Sequence, residues 1–135
     1  MPSVASDVRD EQKRLQLVVD DLARQLHLSA VVTAVIVQSN PRLVSVEPDQ
    51  IAPEAFVLSF EERFLNQLDE EEVRAVVAHE LGHVWIFTHH PFLHTERLAN
   101  SVAMRVVSRK SLEDVYVKVW DRAGTKGDMV RFLGQ

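Results

Sequence analysis

The sequence predicts an α+β fold in which a small mixed or antiparallel sheet packs against one central helix and several supporting helices. Two segments, at residues 31–37 and 55–59, are rich in β-branched or aromatic residues, as buried strands are. Elsewhere, apolar residues recur at helical spacing, most regularly within residues 73–84. The 135 residues, 46% hydrophobic and 26% charged, suit one globular domain spanning residues 1–135.

The first half of the chain contains one predicted helix and the predicted strands. Residues 7–26 carry an apolar stripe with charges between its members, which indicates an amphipathic scaffold helix. The strand at 31–37 ends in an Asn-Pro turn, and a second strand is expected at 43–46. Prolines mark a loop at 47–53, after which residues 55–59 are predicted to form an edge strand. Apolar residues at 60–68 indicate a short helix or turn.

The second half is predicted to be helical. Asp69 and Glu72 have the spacing of a capping box, so a helix should begin after Asp69 and continue to about Thr88, before Pro91. A second helix is expected from Thr95 to about residue 107. A second capping pattern at Ser111 predicts the start of a last helix, which a loop at 124–127 follows.

Composition excludes several kinds of function. The formal net charge is −5 at pH 7 and the basic residues are scattered, so the sequence has no electrostatic footprint for nucleic acid. The absence of cysteine excludes disulfides, a thiol nucleophile and a Cys-ligated zinc. No basic, apolar leader and no apolar run of membrane-spanning length is present, so we expect a soluble cytoplasmic protein without membrane association.

The strongest functional signal is the sequence His79-Glu80-Leu81-Gly82-His83, which matches H-E-x-x-H. On a helix the two histidines lie one turn apart on the same face, so both imidazoles can reach one metal ion. Glu80 projects about 100° around the helix from His79 and stands beside the metal as a base for its bound water. Residues 70–88 are therefore predicted to be an active-site helix.

A catalytic zinc takes three protein ligands and leaves one position open, so a third ligand must lie elsewhere. Glu96 is favoured, with Asn100 one turn later on the same helix face and able to accept a hydrogen bond from a ligating histidine. His90 would lie about 10 Å along the helix axis from His83, which is too far to share the ion. His89 and especially His94, which follows the helix-ending Pro91, remain rivals for the third position.

The paired motifs resemble those of zinc metallopeptidases of the gluzincin branch of the zincins. H-E-L-G-H at residues 79–83 and E-R-L-A-N at 96–100 are similar to the H-E-L-G-H and E-x-x-A-D/N pairs of two groups. These are the CAAX prenyl protease and heat-shock membrane protease family, and the ImmA/IrrE-type peptidases. The first group commonly has aspartate where this chain has Asn100. The resemblance implies a zincin-like fold, bound Zn²⁺ and a peptide or protein substrate.

The resemblance also implies roles for residues outside the paired motifs. In zincins, the strand nearest the active-site helix binds an extended peptide as one more strand, which would assign substrate binding to Ala55, Phe56 and Val57. Zincins usually supply a second donor to the oxyanion from His, Tyr or Arg. Tyr116 is the first candidate for that donor and Arg105 is the second.

Two functions are consistent with these residues. The first is a zinc-dependent peptidase in which Glu80 is the general base for metal-activated water. The alternative is a non-catalytic or regulatory metal-binding domain that recognises a partner protein, because a chain of this size supplies few walls for a deep cleft. Two histidines and a carboxylate with open positions also suit Fe(II) and other first-row ions.

Overall fold

The computed structural model describes residues 4–52, 54–125 and 127–134. In chain order its helices and strands are α1 (Val4–Gln25), β1 (Val31–Val37), β2 (Val44–Pro48), β3 (Ala55–Glu61), α2 (Glu62–Leu65), α3 (Glu70–His89), α4 (Glu96–Ala103), α5 (Arg109–Ala123) and α6 (Met129–Leu133). A short 3₁₀ helix, Pro91–Leu93, lies between α3 and α4. The predicted α+β architecture is confirmed.

The three strands form a mixed sheet with the order β1-β3-β2. β3 is parallel to β1, with Val32 opposite Phe56, and antiparallel to β2, with Val44 opposite Phe60. The prediction that residues 55–59 form an edge strand is therefore wrong, because β3 is paired on both sides. Within the described part of the chain, β2 is an outer strand with no strand beyond it.

The core lies between one face of the sheet and the helices. Strand alternation places Phe56, Leu58 and Phe60 on that face, where all are at most 4% exposed. α3 packs against β2 and against α1, α4 and α5, so its middle turns carry buried residues almost without interruption. A helix in that position holds its side chains in fixed places, which suits a site built on rigid elements.

The first helix is the predicted scaffold, and it also covers one edge of the sheet. The Gln16 side-chain amide donates to the Val32 carbonyl at 2.9 Å, and its oxygen accepts from the Ala34 N–H at 2.7 Å. Gln12 accepts from the Ile36 N–H at 3.1 Å. These glutamines satisfy outward-facing backbone groups of β1 as another strand would. The free edge of the sheet is therefore on β2.

The helix boundaries confirm some predictions and correct others. Asp69 and Glu72 form the predicted capping box at the start of α3. The prediction that Ser111 caps the last long helix is wrong, because Ser108 is the N-cap of α5 and accepts from the Ser111 N–H at 3.1 Å. α4 ends at Ala103, four residues before the predicted end, and α6 was not predicted. Among the described residues, no helix combines the length and apolar character needed to cross a membrane.

Candidate metal and active site

The two histidines of the H-E-x-x-H motif converge at one point on α3. His79 is only 2% exposed, and the His83 side chain is 12% exposed. Their Nε2 atoms lie 3.1 Å apart. The one-turn spacing therefore aims both imidazoles at a common point, with His79 deeper in the protein and His83 nearer the surface.

Glu96 completes this cluster from the start of α4. Thr95 caps that helix by accepting from the Leu98 N–H at 3.0 Å, which fixes where the first helical residue stands. The two oxygens of Glu96 lie 2.9 Å from the Nε2 atoms of His79 and His83. One ligand atom from each of the three residues lies within 4.8 Å of the others.

The arrangement fits a zinc ion. Tetrahedral zinc with bonds of 2.0–2.2 Å separates its ligand atoms by about 3.3 Å, close to the 2.9–3.1 Å found here. Burial would raise the pKa of Glu96, but hydrogen bonds from His79 and His83 and their charges lower it well below its usual range. The carboxylate is therefore ionised, as a metal ligand must be.

The other side of the His79 ring is held by Asn100 from α4. The His79 Nδ1 and Asn100 Oδ1 atoms are 2.6 Å apart, and Asn100 is fully buried. Since an amide oxygen can only accept, Nδ1 carries the proton and donates it. This contact leaves Nε2 as the ring atom available to a metal.

The other candidate histidines do not join the cluster. The His94 Nε2 atom lies 2.5 Å from the His83 Nδ1 atom, so His94 contacts the side of the ring remote from Glu96. Burial and the neighbouring His83 charge lower the pKa of His94. His89 stacks on Trp85 with ring centroids 4.4 Å apart, and the His90 ring is 5.7 Å from the same indole.

Glu80 is buried beside this cluster. It is 8% exposed, and burial raises its pKa to about 8, with the Glu96 charge adding to the shift and His83 and Arg42 opposing it. A divalent cation at the cluster would lower this pKa, because a nearby positive charge favours the carboxylate. The pKa of Glu80 therefore depends on whether a cation is bound at the neighbouring cluster, while burial keeps its side chain beside that cluster.

A cleft of about 700 Å³ lies over Glu80 and His83. Its walls come from β2, from one face of α3 and from the segment after α3, and include Val46, Pro48, Val76, Phe87 and Pro91. The free edge of the sheet and the candidate metal ligands therefore face the same space.

The predicted substrate-binding segment does not border this cleft. Ala55, Phe56 and Val57 belong to the central strand, whose backbone pairs with β1 and β2. Phe56 is 4% exposed, and its ring lies 5.9 Å from that of Phe87, beneath one end of the cleft. The edge that the zincin resemblance assigned to this segment is provided by β2.

The two candidate oxyanion donors differ in position. Tyr116 lines the cleft, with its ring 4.9 Å from that of His79. Burial raises its pKa well above the usual value, and the charges of Glu80 and Glu96 add to this, so the phenol keeps its proton. Arg105 instead lies over the Trp85 ring, 5.2 Å from its centroid, and is not among the described residues that line the cleft.

Sequence reasoning missed one cation in the cleft. Arg42 lines the cleft just before β2, and its charge opposes the rise in the pKa of Glu80. The available signal was an arginine immediately before a strand. This signal could not be interpreted from the sequence, because the position of β2 beside α3 was not known.

This fold and donor set are those of a zincin-type metallopeptidase. The outer strand β2 lies beside α3, which carries the H-E-x-x-H motif, and α4 supplies Glu96. Residues 9–132 match the model of Peptidase family M48, a family of zinc metallopeptidases, and the chain belongs to this family. The predicted resemblance to zincin-type metallopeptidases is thereby confirmed.

Comparison with solved structures supports the same fold. The chain is similar to the crystal structure of the metallopeptidase zymogen of Pyrococcus abyssi abylysin, with a TM-score of 0.58 and 13% sequence identity. The match covers 84% of this chain and 99% of that chain. The comparison with curated proteins gives no match.

Proposed function

We propose that this member of peptidase family M48 is a zinc-dependent peptidase that cleaves extended peptide segments, with Glu80 as general base. One observation carries the proposal: the Nε2 atoms of His79 and His83 and the carboxylate of Glu96 meet at one point beside Glu80, on the wall of an open cleft. Three ligands with a neighbouring carboxyl and solvent access are the requirements of a hydrolytic metal site.

His79, His83 and Glu96 would hold the ion. When bound, zinc supplies a Lewis acid that polarises the substrate carbonyl, and it lowers the pKa of water toward neutrality. Glu80 accepts a proton on its carboxylate from the water that attacks the carbonyl carbon. It then delivers that proton to the nitrogen of the leaving amine as the peptide C–N bond breaks. The Tyr116 hydroxyl is the proposed donor to the developing oxyanion, because it stays protonated and its ring borders the cleft.

The proposed substrate site is the free edge of β2. The Leu43 carbonyl accepts from the Glu61 N–H at 2.8 Å, so Val44 and Phe60 form a pair without mutual hydrogen bonds. By alternation, Val46 turns its N–H and carbonyl away from β3. Pro48 can offer only its carbonyl, since proline has no N–H. An extended peptide would therefore pair mainly with Val46.

The alternative of a non-catalytic metal-binding domain is less well supported. Retention of a metal requires the three ligands but not a carboxyl at position 80. A carboxyl buried at position 80 costs folding free energy, because ionised carboxyls are poorly solvated in the interior, and metal binding alone gives no reason to retain it. We therefore favour hydrolysis.

The test compares zinc content and peptide hydrolysis in the full chain, in Glu80→Gln and in Glu71→Gln, a control at an exposed site on the same helix. We expect about one zinc per chain in all three proteins, measured by elemental analysis after preparation without a histidine tag. Hydrolysis of a broad peptide library should disappear only in Glu80→Gln. Equal rates in that variant and the full chain would refute the role of Glu80. Zinc binding without hydrolysis in the full chain would favour the non-catalytic alternative.

A further inference from the structure

The C-terminal helix α6 contacts the metal site through Asn100. The Asn100 side-chain N–H donates to the backbone carbonyl of Phe132 at 3.0 Å, while its oxygen lies 2.6 Å from His79 Nδ1. The amide is fully buried between these two partners. The partner of the nitrogen end of this amide therefore lies 32 positions away along the chain.

We propose that Phe132 is a positioning residue for His79: its carbonyl sets the orientation of the Asn100 amide, and the amide in turn presents His79 Nε2 to the metal. The proposal rests on the metal centre proposed above, but it does not require peptidase activity. It gives α6 a role in metal affinity that is separate from its contribution to the core.

The donor and acceptor roles along this chain of contacts are forced. A backbone carbonyl can only accept, so the nitrogen end of the Asn100 amide must face Phe132. The oxygen end then faces His79 and can only accept, so Nδ1 must donate. Nε2 is then the ring nitrogen that can present a lone pair to a metal ion, as a ligating imidazole requires. Without the Phe132 carbonyl, the amide has no such constraint on which end faces His79.

The Phe132 ring restrains the same imidazole from its face. It stacks on His79 with centroids 5.5 Å apart and planes 25° apart, and it also packs against Tyr116 at 4.6 Å. Both ends of α6 are fixed: Asp128 caps the first turn, and Arg109 donates to the Gly134 carbonyl at 2.6 Å. The carbonyl and the ring are thus held by the same anchored helix.

This contact also explains why asparagine rather than aspartate stands at position 100. Aspartate would accept from His79 Nδ1 as well as asparagine does, but its second oxygen would face the Phe132 carbonyl. Two acceptors in contact inside the protein, with no proton between them, repel each other and leave both without a donor. In this chain, therefore, α6 selects the residue that supports the histidine.

The experiment measures zinc affinity by chelator competition in the full chain, Phe132→Ala and Leu133→Ala. Leu133 is the matched control, because it is a neighbouring α6 residue, only 3% exposed, whose truncation also weakens the core. Phe132→Ala keeps the backbone carbonyl but loses the ring that packs on His79 and Tyr116, so the carbonyl is no longer held in place against Asn100. We expect zinc affinity to fall by about 10- to 100-fold in Phe132→Ala, the usual effect of disturbing an outer-shell partner, and by clearly less in Leu133→Ala. Equal affinities in these two variants would overturn the proposal and leave Phe132 with a packing role.

Asn100→Asp tests the carbonyl step separately. We expect weaker zinc binding and faster amide hydrogen exchange in α6, with a smaller further loss when Phe132→Ala is already present. Zinc affinity at or above that of the full chain, with α6 still protected, would overturn the assigned orientation of the amide. A full chain that binds no zinc would instead refute the metal centre itself, so the two failures are distinguishable.

Discussion

Gly82 lies directly against the backbone of Ala99, so that a methyl group on Gly82 would approach the Ala99 Cα and carbonyl carbon to 2.9 Å. The first residue belongs to the H-E-x-x-H stretch of α3 and the second to the E-x-x-A-N stretch of α4. Their close approach determines the distance between the helix that carries His79 and His83 and the helix that carries Glu96. The glycine within the motif therefore allows the close helix contact that places the three proposed ligands near one another.

Gly82→Ala should weaken both the fold and the metal site. The added methyl meets backbone atoms, which cannot rotate aside as a side chain can, so the two helices must separate. We expect a loss of about 1–3 kcal/mol in the free energy of unfolding, measured in urea, as for other overpacked cores. Bound zinc should also fall, because Glu96 moves away from the histidines.

Gly124→Ala is the control for Gly82→Ala. Gly124 ends α5 with φ of +70° and has open space around its Cβ position, so alanine there costs about 1 kcal/mol of backbone strain and leaves the ligands in place. Undiminished zinc affinity in Gly82→Ala would show that helix spacing does not control the site.

The sequence predicted the parts of the site that depend on local spacing. His79 and His83 lie four residues apart on one helix, and Glu96 begins the next helix, so their chemistry is visible in short windows of sequence. The capping box at Asp69 is likewise a four-residue pattern. Such features follow from helix geometry and do not require knowledge of the tertiary structure.

The parts that were missed depend on contacts between distant segments. The order of strands in a sheet is not set by any one strand, so residues 55–59 were misplaced at the edge and Arg42 had no assigned role. α6 has five residues, too few to show a helical period, and its contact with Asn100 spans 32 positions. Ser108 and Ser111 both fit a cap, and the path of the chain into α5 decides between them.

The edge covered by α1 gives a prediction about stability alone. Gln16→Ala removes both side-chain bonds to β1 and leaves the Val32 carbonyl and Ala34 N–H without those partners. We expect a loss of about 1–3 kcal/mol in the free energy of unfolding, with zinc affinity unchanged. Gln25→Ala is the matched control, because that exposed glutamine bonds to Asp21 on its own helix and should change stability by less than about 0.5 kcal/mol. Equal stability of the two variants would show that α1 does not stabilise the edge of β1.

Substitutions at Glu96, His94 and His89 should rank their contributions to the metal site. Glu96→Ala should lose bound zinc, because the third ligand is gone. His94→Ala should retain it with affinity reduced by about 10-fold or more, as expected when a ligating histidine loses its hydrogen-bond partner. His89→Ala is the control and should bind as the full chain does, since His89 contacts Trp85. Zinc retained in Glu96→Ala but lost in His94→Ala would reverse the assignment of the third ligand.

Tyr116→Phe tests the proposed oxyanion donor. Removing the hydroxyl should lower kcat by about 10²–10³-fold with little change in KM, because the interaction exists only as charge develops. Zinc affinity should stay the same, since the ring that packs on His79 is retained. Arg105→Ala is expected to leave kcat unchanged, because that guanidinium lies over Trp85. A loss of kcat in Arg42→Ala, with none in Tyr116→Phe, would move the role to the arginine at the start of β2.

The position of Phe87 in the cleft wall predicts that the protein prefers substrates with an apolar side chain at that end of the cleft. Phe87 is 43% exposed, and Pro48 and Pro91 line the same cleft, so an apolar side chain bound there would be removed from water. Phe87→Ser should lower kcat/KM by about 10- to 100-fold for peptides with a large apolar residue next to the scissile bond, corresponding to about 1.5–3 kcal/mol of lost burial. Peptides with small or polar residues there should be cleaved at the original rate, and bound zinc should be unchanged.

Leu17→Ser is the matched control, because Leu17 is an apolar residue on α1 that is 67% exposed and lies outside the cleft lining. This variant should cleave both kinds of peptide at the original rates. If Phe87→Ser keeps the original preference for apolar residues, this end of the cleft does not hold the substrate side chain.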